Sequence, residues 1–154
     1  MRTVSVSNAF FAEAERRLRM GDEVRLLVQG NSMLPFILGG RDEVTLAPYH
    51  DEDLPLGTAA FYQWNGKYMV HRLVKKEGDR YHFLGDGNIY RIESIPRKDV
   101  LGVLKTIHHP NGTSTDATAP RWLRMGLWWY RMRPFRRYIL FAYKRMRGIP
   151  NVPA

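Results

Sequence analysis

Thr58-Ala59-Ala60-Phe61-Tyr62-Gln63-Trp64-Asn65-Gly66-Lys67-Tyr68-Met69-Val70-His71-Arg72-Leu73-Val74 holds two runs rich in aromatic and β-branched residues, joined by Asn-Gly. The central residues of a two-residue hairpin turn need positive φ, which Asn and Gly tolerate best. The stretch therefore predicts two antiparallel strands. Shorter runs of the same kind lie on either side, at 24–28, 43–47, 81–84 and 100–107, each closed by turn-forming residues. With about six short strands and few helices, the expected fold class is mainly β: a coiled or partly closed antiparallel β domain. Ser7 or Asn8 suits the cap of a short N-terminal helix that runs to Met20 and stops at Gly21.

A length of 154 residues allows one domain with a substantial core. Charge divides the chain unevenly. All 15 Asp and Glu fall in residues 1–120 together with 15 of the 24 Lys and Arg, so that region is neutral. Residues 121–154 carry the other nine basic residues and no acid. We therefore expect a β domain at 1–112, followed at 113–154 by a polar linker and a basic, amphipathic, helical tail. Pro120 suits a first helical turn, and Pro134 divides two helices. In the second, Phe135, Tyr138, Ile139, Ala142, Tyr143 and Met146 share one face, opposed by Arg136, Arg137, Lys144 and Arg147, with Gly148 and Pro150 as the stop. In the first, Trp122, Met125, Trp129 and Met132 form the apolar stripe.

That composition suits a helix lying in an anionic membrane surface, which makes 121–147 a candidate membrane contact. A tail packed on the domain is the plainer reading. Nucleic acid is the less favoured partner, because only one short helix fits before Ser32 and no helix-turn-helix precedes it. No apolar stretch reaches the ~20 residues that span a bilayer, and the N-terminus lacks the apolar core of a signal peptide. The expected location is thus cytoplasmic, with the tail peripheral on the inner face of the membrane.

Gly30-Asn31-Ser32-Met33-Leu34-Pro35 places a serine at a bend. His71 follows on a predicted strand, and Asp86 in Leu84-Gly85-Asp86-Gly87-Asn88. A serine hydroxyl needs a base to become a nucleophile at neutral pH, and a neutral imidazole suits that task. An acid on the other ring nitrogen would orient the imidazole, and backbone N–H groups would receive the oxyanion. Gly30 removes bulk beside the Ser32 N–H, while Met33 and Pro35 shape the bend or the cleft.

Gly-x-Ser-Met-x-Pro at Gly30–Pro35, then His71-Arg72 on a strand, then Gly85-Asp86-Gly87-Asn88, resembles the signal peptidase I clan, which also contains the self-cleaving SOS-response repressors. Histidine followed by arginine at the base position is similar to the endoplasmic-reticulum and archaeal-type signal peptidases; the bacterial enzymes and the repressors have lysine there. The resemblance covers roughly residues 24–107. It implies Ser32 as nucleophile, His71 as general base and Asp86 as the orienting acid, with an extended peptide bound by strand addition. The histidine-type enzymes carry a second aspartate after the Gly-Asp-Asn box, and here only Glu93 stands in that region. Glu93 is therefore the alternative acid partner.

The expected activity is that of a serine endopeptidase acting on an extended peptide or protein precursor through an acyl-enzyme. A catalytically idle adaptor of the same fold and a self-cleaving repressor-like protein are the alternatives. No cofactor is expected. The chain has no cysteine, and His50, His71, His82, His108 and His109 show no metal-binding spacing, so no metal is expected either. Asp42 and Glu43 read as solvated turn acids, and His108-His109 as a strand end.

Overall fold

The Asn65-Gly66 turn closes as expected, with both residues at positive φ (49° and 75°) between β3 (Ala59–Trp64) and β4 (Lys67–Glu77). In the computed structural model, residues 3–88 and 91–149 are described, with the side chains of 3–8 outside that description. The other strands are β1 (Val24–Leu27), β2 (Glu43–Pro48), β5 (Arg80–Leu84), β6 (Ile92–Pro96), β7 (Val100–His108) and β8 (Ser114–Asp116). All pair antiparallel in one sheet of order β1-β2-β7-β3-β4-β5-β6, with β8 alongside the end of β7. Strand accounts for 35% and helix for 29%, so the class is mainly β.

Irregularities in register at Thr45/Leu46, Phe61/Tyr62 and Leu73/Lys75 add twist, and the sheet curls into a half-barrel. Each face has its own core. Val44, Leu46, Phe61 and Leu104 pack on one side with Ala14 and Leu18 of α1 (Thr3–Arg19); Leu54, Tyr62, Leu73 and Phe83 pack on the other. With both faces covered, β3 buries four successive residues, Ala59 to Tyr62, where an exposed sheet would alternate. α1 ends at Gly21 (φ 94°), and its backbone begins at Thr3, ahead of the Ser7 and Asn8 caps, whose side chains lie outside the description.

Two strands, β6 and β8, lie outside the runs with a strand pattern. β6 includes the buried acid Glu93, which breaks its apolar alternation. β8 lies within the segment expected to be a linker: Ser114–Asp116 pairs with Thr106–His108, and Ala117 is fully buried. The tail forms α2 (Pro120–Arg131) and α3 (Arg133–Arg147), broken ahead of Pro134 and stopped by Gly148 in the left-handed conformation. Pro150 lies outside the described residues. Trp122 of α2 joins the core on the α1 side of the sheet, while Trp129 of α2 and Leu140 of α3 pack on Leu34 of the Ser32 loop. Among the described residues no helix is long and apolar enough to cross a membrane.

Candidate active site

Strand parity organises the site. Successive residues of β4 point to opposite faces, so His71 and Arg72 serve different surroundings. Register carries His71's face across the sheet: Ala60 pairs with His71, and Leu73 with Phe83, which pairs in turn with Glu93. Tyr62, two residues on from Ala60, shares that face. Arg72 pairs with Leu84, and Asp86 lies two residues further along.

The side chains follow that division. His71 is buried, and its Nδ1 lies 3.0 Å from Glu93 Oε1 and 3.2 Å from the Tyr62 hydroxyl oxygen. Glu93 is fully buried, yet neither of its oxygens accepts a well-aligned hydrogen bond among the described residues. The contact with His71 is thus electrostatic and off-line, and a proton carried on Nδ1 would lie beside the carboxylate. Burial, reinforced by the Glu93 charge, pushes the Tyr62 hydroxyl up, so Tyr62 keeps its proton.

Nε2 of His71 faces the serine loop. A Cβ at Gly85 would lie 3.0 Å from His71 Nε2 and 2.5 Å from the Ser32 carbonyl oxygen, so both border the space that glycine leaves empty. The Gly87 N–H donates to that same Ser32 carbonyl at 2.7 Å, tying the serine loop to the 85–88 turn. Ser32 is half-buried, and Met33 beneath it is anchored in the core. Among the described residues the N–H groups of Ser32 and Met33 make no hydrogen bond, which leaves two donors available beside the hydroxyl. Gly30 adopts φ 76° with open space where its side chain would be, so conformation, not bulk, requires glycine there. The Leu34–Pro35 peptide in the bend is cis.

Ser32, His71 and Glu93 line one cleft of about 550 Å³. Lys67 to His71, five successive residues from both faces of β4, all line it, so the cleft runs along the strand's edge. Among the described residues that edge is open: β4 pairs with β3 from Lys67 onward but with β5 only from Arg72. Leu26 and Val28 form the facing wall beside edge strand β1. Such a strand edge beside Ser32 offers a peptide backbone its hydrogen bonds.

Asp86 does not orient His71. Its carboxylate forms a buried two-pronged pair with Arg72 (Nε–Oδ1 2.8 Å, Nη2–Oδ2 2.7 Å), and Arg72 Nη1 donates to the Gly57 carbonyl at 2.8 Å. The Arg72 guanidinium lies over Trp122 at 4.1 Å and near Phe36 at 5.1 Å. α2 crosses at Gly126, where a Cβ would fall 1.9 Å from Arg72 Nη1. Gly126→Ala should therefore lower stability by about 1–3 kcal/mol through overpacking, despite alanine's better helix propensity. Urea midpoints with unchanged slope test this, and a more stable variant would refute the packing account.

The tail also holds the turn. Trp129 Nε1 donates to the Asp86 carbonyl at 2.7 Å, and Arg136 Nη2 to the Gly85 carbonyl at 3.1 Å. Arg136 was expected on the solvent face of α3, but it is 1% exposed because Gly85 supplies a buried acceptor. Burial pushes its guanidinium down to about 10, against the pull of Asp86, and it stays charged at neutral pH. Asp42 likewise departs from its expected solvated state. It is 2% exposed, accepts the Leu38 N–H at 2.8 Å and lies 3.3 Å from His109 Nδ1. Among the described residues no cluster of three His, Asp or Glu has the arrangement of a metal site. No protein-family model matches the chain, and no characterised protein matches it in sequence.

Proposed function

We propose that this chain is a serine endopeptidase of the signal-peptidase-like clan, with Ser32 as nucleophile, His71 as general base and Glu93 as the acid beside it. The observation that carries this reading is the two-sided setting of His71: a buried carboxylate at Nδ1, and the Ser32 loop on the Nε2 side. A substrate strand lies along the open edge of β4 and brings a carbonyl carbon to Ser32 Oγ. Oγ attacks as its proton passes to Nε2, and free N–H groups of the serine loop receive the oxyanion. Collapse breaks the C–N bond, with the Nε2 proton going to the departing amine. Water then attacks the acyl-enzyme, giving its proton to Nε2, and the acid product leaves as Ser32 is restored.

Glu93 differs from the acid the sequence resemblance first indicated, but a longer side chain from β6 meets the same need. The test is intact-mass analysis after a broad serine-acylating probe such as a fluorophosphonate. One adduct on Ser32 is expected in the wild type, with none in Ser32→Ala and strongly slowed labelling in His71→Ala. Equal labelling of wild type and Ser32→Ala would overturn the assignment. Labelling without hydrolysis of any peptide from a mixed library would favour the idle adaptor.

A further inference from the structure

α3 carries two apolar surfaces. Leu140 and Tyr143 face Leu34 and Trp129 in the domain. A second stripe points away: Phe135 is 61% exposed, Tyr138 61%, Ile139 40% and Met146 87%. On a helix at ~100° per residue these four fall within about one third of the circumference. Trp128 of α2 adds a further ring, 60% exposed. The core of the domain is already closed without them, so this stripe has no folding task that water would not oppose.

We propose that α2 and α3 dock the protein on an anionic lipid bilayer, lying in the plane of the interface with Phe135, Ile139 and Met146 in the acyl boundary. Charge selects this occupant. Residues 121–154 hold nine basic residues and no acid, and Arg121, Arg124, Arg131, Arg145 and Arg147 are exposed on the same two helices. A second copy of the chain would bring two such like-charged surfaces together. A nucleic acid would satisfy the arginines but leave aliphatic Ile139 and Met146 in water, whereas a bilayer satisfies both. At 15 residues α3 is about 22 Å long and interrupted by arginines, which suits lying on a membrane.

The placement has a consequence for the cleft. Lys144 of α3 lines it, and the same helices hold the Gly85 and Asp86 carbonyls. Docking therefore puts the cleft about one helix diameter, ~10–12 Å, from the lipid surface. The docking itself does not depend on the peptidase reading.

Co-sedimentation of the full chain with vesicles of phosphatidylcholine and phosphatidylglycerol, beside pure phosphatidylcholine, tests the proposal. Binding to the anionic vesicles alone is expected, with at least a tenfold loss in 0.5 M salt. A comparable loss is expected in the triple variant Phe135→Ser, Ile139→Ser, Met146→Ser, whose exposed positions leave the fold intact by circular dichroism. Depth-resolved quenching by brominated lipid should be weaker in Trp128→Phe than in the wild type. No binding to anionic vesicles, undiminished binding by the triple variant, or concentration-dependent dimerisation lost in that variant would each overturn it.

Discussion

Glu93→Gln should cut acylation of Ser32, and any peptide turnover, by about 10²–10⁴-fold while leaving the protein at least as stable as the wild type. The loss follows from the tautomer. In the proposed mechanism the carboxylate 3.0 Å from Nδ1 favours the ring proton on that side, which leaves Nε2 free to take the serine proton. A glutamine amide offers a donor as readily as an acceptor, so the ring is no longer biased and the imidazolium formed during attack loses its counter-charge. The effect on stability runs the other way. Glu93 is fully buried without an aligned donor among the described residues, the most costly condition for a carboxylate. Replacing it with a neutral group of the same size removes that cost. Stopped-flow acylation and thermal unfolding on one preparation check both halves. A variant that loses stability and keeps its rate would mean that Glu93 is structural and His71 lacks an acid partner.

That dissociation was only partly legible in the residues. The Asn65-Gly66 hairpin, the bend at Ser32 and the stops at Gly21 and Gly148 follow from short-range rules, because φ preferences act within a few residues. The approach of Glu93 to His71 is a matter of register across three strands. The parity of β4 already separates His71 from Arg72, and an acid that serves one cannot easily serve the other. What local pattern could not supply was β6. Its sequence Ile92-Glu93-Ser94-Ile95-Pro96 has an acid where a strand of this kind buries an apolar side chain. A rule of alternation fails there because the buried position holds a carboxylate beside His71. The tail shows a different limit. Two amphipathic helices were plain from periodicity, but which stripe turned inward was not. Arg136 goes inside with the Gly85 carbonyl as acceptor, Asp86 as a nearby charge and the Trp129 ring beside it, and a carbonyl's direction is a property of the folded turn. β8 carries no such signal: three polar residues pair with the end of β7 through the backbone, helped by a 2.8 Å hydrogen bond between Thr115 Oγ1 and His109 Nε2.

Asp86→Asn should destabilise the fold by about 3–5 kcal/mol, because it leaves the Arg72 guanidinium buried without its counter-charge. For a chain of this size that corresponds to a drop in Tm on the order of 10 °C. The surroundings give Arg72 no escape to water. It is fully buried, lies over Trp122, donates to Gly57 and has Gly126 of α2 against it, so the charge cannot be rehydrated without displacing the helix. The same carboxylate sits between two carbonyls that the tail holds, Gly85 through Arg136 and its own through Trp129. Loosening it therefore frees the turn that Gly87 ties to the Ser32 loop. Removing both members tells pairing apart from packing. In Arg72→Met with Asp86→Leu the buried charges vanish together, and the double variant should lose clearly less stability than the sum of the single ones. Acylation of Ser32, measured well below each variant's Tm, should fall far less in Asp86→Asn than in Glu93→Gln. If Asp86→Asn instead left Tm unchanged and abolished acylation, Asp86 would be the acid that His71 uses, and the division of labour between the two faces of β4 would be wrong.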